Sequence, residues 1–224
     1  MATGADLIAA IKANDIAQAK QLLTADPAIA GARDENGVSA VMNARYRGQT
    51  EVVERLRACG VTLDIFEAAT LGDRARLEQL LSDPAQVHGR SPDGFTPLHL
   101  ACFFGQEASA QLLLERGADP GSVARNPMQV QPLHSAVAGR QLGIVRLLLE
   151  RGAAVNARQQ MGWTALHEAA NQGNREMAEA LLRHGADPTL GNDEGKTPAD
   201  VATGRGHTDL ARLFDGGQPA RTAG

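Results

Sequence analysis

Apolar residues recur along this chain at a long, nearly constant period. Leu98, Leu133, Leu166 and Ala199 lie 35, 33 and 33 residues apart. Upstream, Ile65 precedes Leu98 by 33, and Ile8 precedes Val41 by 33; only the step from Val41 to Ile65 is short, at 24. Breakers keep the same phase. Gly117, Gly152 and Gly185 each follow the periodic apolar residue by 19, and Pro27 and Pro84 hold that place in the early part of the chain. Self-similarity at such a period is the mark of a stacked repeat architecture. Seven units emerge, starting near residues 6, 39, 63, 96, 131, 164 and 197.

Each unit reads as two short helices. In TPLHLACFFG, residues 96–105, Thr96 is a helix N-cap whose oxygen can accept from an unpaired backbone N–H. Pro97 follows at the first helical position, where a missing N–H costs nothing. That helix stops near Gly105, and QEASAQLLLERG forms a second one ended by Gly117, a residue free to adopt the left-handed conformation. An extended stretch then turns back to the next cap.

The TPLHLA run, the GAD turn and the 33-residue period resemble the ankyrin repeat, over about residues 6–214. Units four to six carry the pattern closely and units one to three loosely. The better-kept units also resemble a group of bacterial ankyrin-repeat proteins. The resemblance implies an all-α solenoid of about seven stacked helix pairs with β-hairpin fingers projecting at right angles. It also implies an activity that consists of binding other proteins. The first and last pairs serve as caps, since an open stack exposes an apolar end. On this reading residues 1–5 are a loose N-terminus, 6–214 one domain, and 215–224 a disordered tail.

Composition narrows the function. Apolar residues make up 43% of the chain but aromatics only 3%, which suits small, closely packed helices. The net charge is −4, without a dense Lys/Arg run, so nucleic acid is not an expected partner. No apolar run approaches the ~20 residues of a membrane span, and the N-terminus lacks the basic and apolar regions of a signal peptide. Cys59 and Cys102 stand in unrelated contexts and read as free thiols of a reducing compartment. These features point to a cytoplasmic monomer without a cofactor.

His99, His134 and His167 occupy matching places in three units. Equivalent sites on stacked helices stand about 8–10 Å apart, too far for one zinc ion with its ~2.0–2.1 Å nitrogen bonds or for a hydrogen-bonded catalytic pair. No carboxylate or nucleophile recurs in register with them. Each stands at the third helical position, where the ring can reach the cap residue and the neighbouring turn, and the ankyrin resemblance implies that it links one repeat to the next. HEAAN lacks the second histidine of HExxH, and GRGH follows no strand. The chain therefore reads as non-catalytic, with no metal.

What remains is a surface. Five of the seven aromatics, Tyr46, Phe95, Phe103, Phe104 and Trp163, fall at inner-helix ends or fingertips. Aromatics and arginine are the usual interface anchors. Together with Arg47 and Met128 at the rim, they form the expected anchor cluster for a partner protein or peptide on the concave face. Two irregularities flank it: a long finger over 118–131 carrying Asn-Pro and Met128, and a nearly missing finger at 60–64, expected to leave a gap beside Tyr46 and Arg47. A small-molecule or catalytic pocket at that gap is the alternative.

Overall fold

The computed structural model describes residues 2–214 and 216. Among these residues fourteen α-helices follow one another in seven antiparallel pairs. They are α1 (Gly4–Lys12) and α2 (Ile16–Ala25), α3 (Ala40–Tyr46) and α4 (Thr50–Ala58), α5 (Ile65–Leu71) and α6 (Arg74–Leu80), and α7 (Pro97–Phe103) and α8 (Glu107–Glu115). The series continues with α9 (Pro132–Ala138) and α10 (Leu142–Glu150), α11 (Ala165–Asn171) and α12 (Arg175–Arg183), and α13 (Pro198–Gly204) and α14 (Thr208–Phe214). The expected tail, 215–224, lies almost wholly outside the described residues.

Side-chain caps start most of these helices. Ser39 accepts from the Met42 N–H, Asp64 from Phe66 and Glu67, Thr96 from His99 and Thr197 from Asp200. Asp15, Asp73 and Asn174 cap α2, α6 and α12 in the same way. Thr3 forms a capping box with Asp6, so residues 3–5, expected to be loose, instead begin α1. The reciprocal bonds, which satisfy two otherwise orphaned donors, hold the chain there.

A helix of seven to ten residues is marginal alone, and these become stable by stacking. The first helices of successive pairs pack on one another from α1 to α13 and form an inner row. The second helices form an outer row, in which α2 packs on α4 and α6 through α12 pack in succession. One continuous core runs between the rows, with Leu7, Leu56, Leu77, Leu98, Leu133, Leu148 and Leu166 shut off from solvent. Alanine spacers such as Ala101, Ala136 and Ala169 let the inner helices approach closely. Gly139 does so most sharply, since a side chain there would fall on the Phe103 carbonyl oxygen.

The fingers differ from the hairpins expected. No β-strand forms among the described residues, and an isolated antiparallel bridge joins Arg33 and Ser39. Each finger is a turn closed by a few backbone bonds, such as Ser91 N–H to Phe95 C=O at 2.9 Å and Gln159 N–H to Trp163 C=O at 2.8 Å. Neighbouring fingers then bond to each other: Arg125 donates to Gly94 C=O, Gln160 to Met128 C=O and Asp193 to Met161 C=O. The arms are too short for a ladder, so the linkage runs from finger to finger.

One cap breaks the series. Gln131 occupies the slot that Thr96, Thr164 and Thr197 fill elsewhere and leaves its Oε1 buried without a partner among the described residues. Gln131→Thr is expected to add about 1 kcal/mol and to raise the thermal midpoint by about 2–4 °C. An unchanged or lower midpoint in a melting curve would contradict this account of the cap.

Candidate partner-binding face

The aromatic slots at inner-helix ends are filled unequally. Tyr46 closes α3 and Phe103 closes α7, but the equivalent place on α9 holds Ala138, followed by Gly139. Large side chains beside small ones leave a hollow of about 390 Å³. Its helical wall includes Tyr46, Leu100, Phe103, Ser135, Ala138 and Glu168. Its other wall comes from the fingers: Phe95, Met128, Val130 and Gln159. Tyr46, Phe103 and Met128 are 39%, 43% and 46% exposed, so a wide apolar surface faces solvent in one place.

Four of the seven anticipated anchors thus meet: Tyr46, Phe95, Phe103 and Met128. The other three are placed differently. Phe104 is half-buried behind them, its ring 5.1 Å from that of Phe103 and 5.8 Å from that of Tyr46, with the Arg45 guanidinium 4.7 Å over it. Arg47 turns back onto its own helix and donates to the Asn43 C=O at 3.0 Å and Oδ1 at 3.2 Å. Trp163, at a fingertip, is half-buried rather than free in solvent: it packs against the core and sits 5.9 Å from the His167 ring. Phe95 covers His99 at the same 5.9 Å separation. The residue just before a cap folds back over the first helical turn, as in a hydrophobic staple. That gives these fingertip aromatics a share in stability that their position alone does not reveal. Trp163 also borders a separate, more polar depression with Asn171, Lys196 and Arg205.

The gap expected beside Tyr46 is closed. With the finger at 60–64 missing, the fingers on either side meet: a side chain at Gly37 would stand 3.6 Å from Pro92. The Tyr46 hydroxyl donates to the Asp93 carboxylate across the same join. Burial, and the Asp93 carboxylate after it, push the Tyr46 hydroxyl well above the ordinary tyrosine range. A cleft of about 310 Å³ does lie beside Val61, Thr62 and Leu63, but its charged groups are occupied. Arg57 pairs with Asp73 at 3.2 Å, and Arg76 donates to the Leu63 C=O at 2.9 Å.

Two of the three histidines, His99 and His134, line the hollow, and His167 follows in the next unit. Each Nδ1 accepts the backbone N–H of its cap residue: His99 from Thr96 at 3.3 Å, His134 from Gln131 at 3.0 Å, His167 from Thr164 at 3.1 Å. Each Nε2 faces a carbonyl of the following finger: Val130 at 3.0 Å, Ala157 at 3.1 Å and Lys196 at 3.0 Å. A carbonyl only accepts, so Nε2 carries the proton and the ring is neutral. Both nitrogens are engaged by backbone, and the ring is the tie between one pair and the next. Among the described residues no group of three or more His, Cys, Asp or Glu is arranged to hold a metal ion.

Comparison with known proteins agrees with this geometry. The family described as "Ankyrin repeats (3 copies)" matches residues 65–159 and 155–219. The chain belongs to the ankyrin-repeat family. It is 39% identical over 143 residues, 62% of the chain, to the B-cell lymphoma 3 protein of Homo sapiens. It is 40% identical over 177 residues, 73% of the chain, to the Ankyrin repeat and SOCS box protein 3 of Bos taurus. To the Ankyrin repeat and SAM domain-containing protein 6 of Rattus norvegicus it is 35% identical over 155 residues, 67% of the chain. The aligned part covers 30%, 33% and 14% of those proteins, so the chain spans a third of their length or less. Ankyrin repeats are a protein-interaction domain family. No helix among the described residues is long and apolar enough to cross a membrane.

The ankyrin histidines carry a pH dependence. Burial pushes His99 and His134 down to about 4 and lowers His167 for the same reason. In the unfolded chain they take up a proton below about 6.5. Their contribution is therefore present above that value and is lost as pH falls from about 6.5 towards 4. Between pH 7 and pH 5 each deeply buried ring should cost about 1–2 kcal/mol. His134→Gln, whose amide can still donate to Ala157, should be less stable at pH 7 yet lose less on acidification. Chemical unfolding at the two pH values checks this; equal losses in wild type and variant would contradict it.

Proposed function

We propose that this chain is a non-catalytic protein-interaction module that holds a partner protein or peptide on its concave inner face. The observation that carries the reading is the convergence of Tyr46, Phe103 and Met128, each more than a third exposed, on one 390 Å³ hollow. Surface apolar residues scattered singly need no explanation, whereas a contiguous patch set in a depression does. Phe95 and Leu100 add apolar surface to the lining, and the neutral histidine rings add no charge. Such a site favours an aromatic or aliphatic anchor, which supplies most of the energy in typical interfaces.

The reading extends to a cytoplasmic monomer without cofactor. Its net charge of −4 argues against nucleic acid as the partner. Trp163 and its polar depression extend the same face by one unit, and Arg47 and Phe104 serve the face by supporting it.

The test begins with partners recovered from native cells on wild-type protein and on Phe103→Asp. Titration of a recovered partner against Phe103→Ala should show a loss of about 2 kcal/mol, roughly thirtyfold. The melting curve should move little, because the ring is largely outside the core. Trp163→Ala should lower the melting curve as well, because its ring packs on His167. Leu148→Ala, at a fully buried site, sets the scale for a core loss at about 2–5 kcal/mol. Unchanged affinity in Phe103→Ala would contradict the inner-face reading.

A further inference from the structure

The charge around the hollow is one-sided. Glu168 on α11 lines it, and no lysine or arginine does. One carboxylate oxygen of Glu168 accepts from the Gln172 amide at 2.9 Å, and the lining of the hollow offers it no cation. The histidines that share the wall have both nitrogens committed to backbone and stay uncharged near neutral pH.

Covering this hollow with an apolar partner alone would strip water from Glu168 and leave its charge without compensation. A partner that brings a cation to that edge avoids the cost and gains a complementary contact. We infer that the hollow selects a peptide segment in which an aromatic or aliphatic anchor is accompanied by a lysine or arginine that meets Glu168. This rests on the inner-face reading above and specifies the ligand chemistry of that site. Inner helices stand about 8–10 Å apart and an extended chain advances about 3.3 Å per residue. With the anchor between α7 and α9, the cation therefore falls about three to six residues away.

The experiment pans a random dodecapeptide phage library on the full chain, on Phe103→Asp, on Glu168→Gln and on Glu168→Lys. Thermal melts confirm that each variant folds; Glu168→Gln keeps the size of the side chain and stands in if Glu168→Lys does not. Wild type should enrich peptides pairing an apolar anchor with Lys or Arg at that spacing. Those peptides should weaken at least tenfold on Glu168→Gln, and Glu168→Lys should shift the enriched residue to Asp or Glu. Peptides that need Phe103 but show no basic preference, or that bind Glu168→Gln equally well, overturn the charge inference and leave the inner-face reading intact. Peptides that survive Phe103→Asp, or no enrichment at all, overturn that reading as well.

Discussion

The histidine-to-finger hydrogen bond is the constraint on which the repeats from α7 to α13 depend. A helix of seven residues has little intrinsic stability, and a finger without a strand ladder has few bonds of its own. The imidazole ring joins the two. Through Nδ1 it satisfies the N–H of the cap residue at the start of its helix, and through Nε2–H it holds a carbonyl of the following finger. Because the ring is buried, these bonds replace water that would otherwise be needed by backbone groups on both sides. The same two bonds consume the only chemistry the ring could offer.

The binding face follows from that framework. Stacking repeats one geometry, so slots at the ends of inner helices line up along one face. Side-chain size in those slots then decides the relief. Tyr46 and Phe103 build height at the ends of α3 and α7, Ala138 drops away at the end of α9, and the long finger brings Met128 to the same hollow. The wall behind is tied to backbone, which favours a surface formed in advance of its partner and spares the ordering cost of binding. A preformed apolar hollow with an uncompensated carboxylate at its edge is selective as well as adhesive.

Much of this was legible in the sequence for physical reasons. Repeat period, caps and helix-ending glycines are local signals, and they made the all-helical repeat solenoid legible. The slots carrying Tyr46, Phe95, Phe103 and Met128 were visible because large apolar residues stand out where the repeat leaves its pattern. Depth was harder to read. Trp163 occupies a fingertip in sequence, but its packing on His167 depends on how the residue before a cap folds back over the helix. The closing of fingers around the missing one, with Pro92 beside Gly37, depends on how the stack relaxes over a short unit. Glu168 escaped notice because its significance lies in the absence of a cation from other units, which no local motif records. Thr3 was missed as a cap because small residues around it suggested looseness more strongly than Asp6 suggested a capping box.

The central claim is that three neutral, Nε2-protonated histidines tie the repeats together behind the binding face. Long-range proton–nitrogen NMR correlation spectra of the folded, nitrogen-labelled protein test it directly, since they distinguish the two neutral tautomers and the charged ring. The account calls for His99, His134 and His167 to show the Nε2–H tautomer at pH 7, with slowly exchanging Nε2 protons, and for His99 and His134 to remain uncharged at pH 6. Rings that titrate near the ordinary value of about 6.5, or that carry the proton on Nδ1, would contradict it.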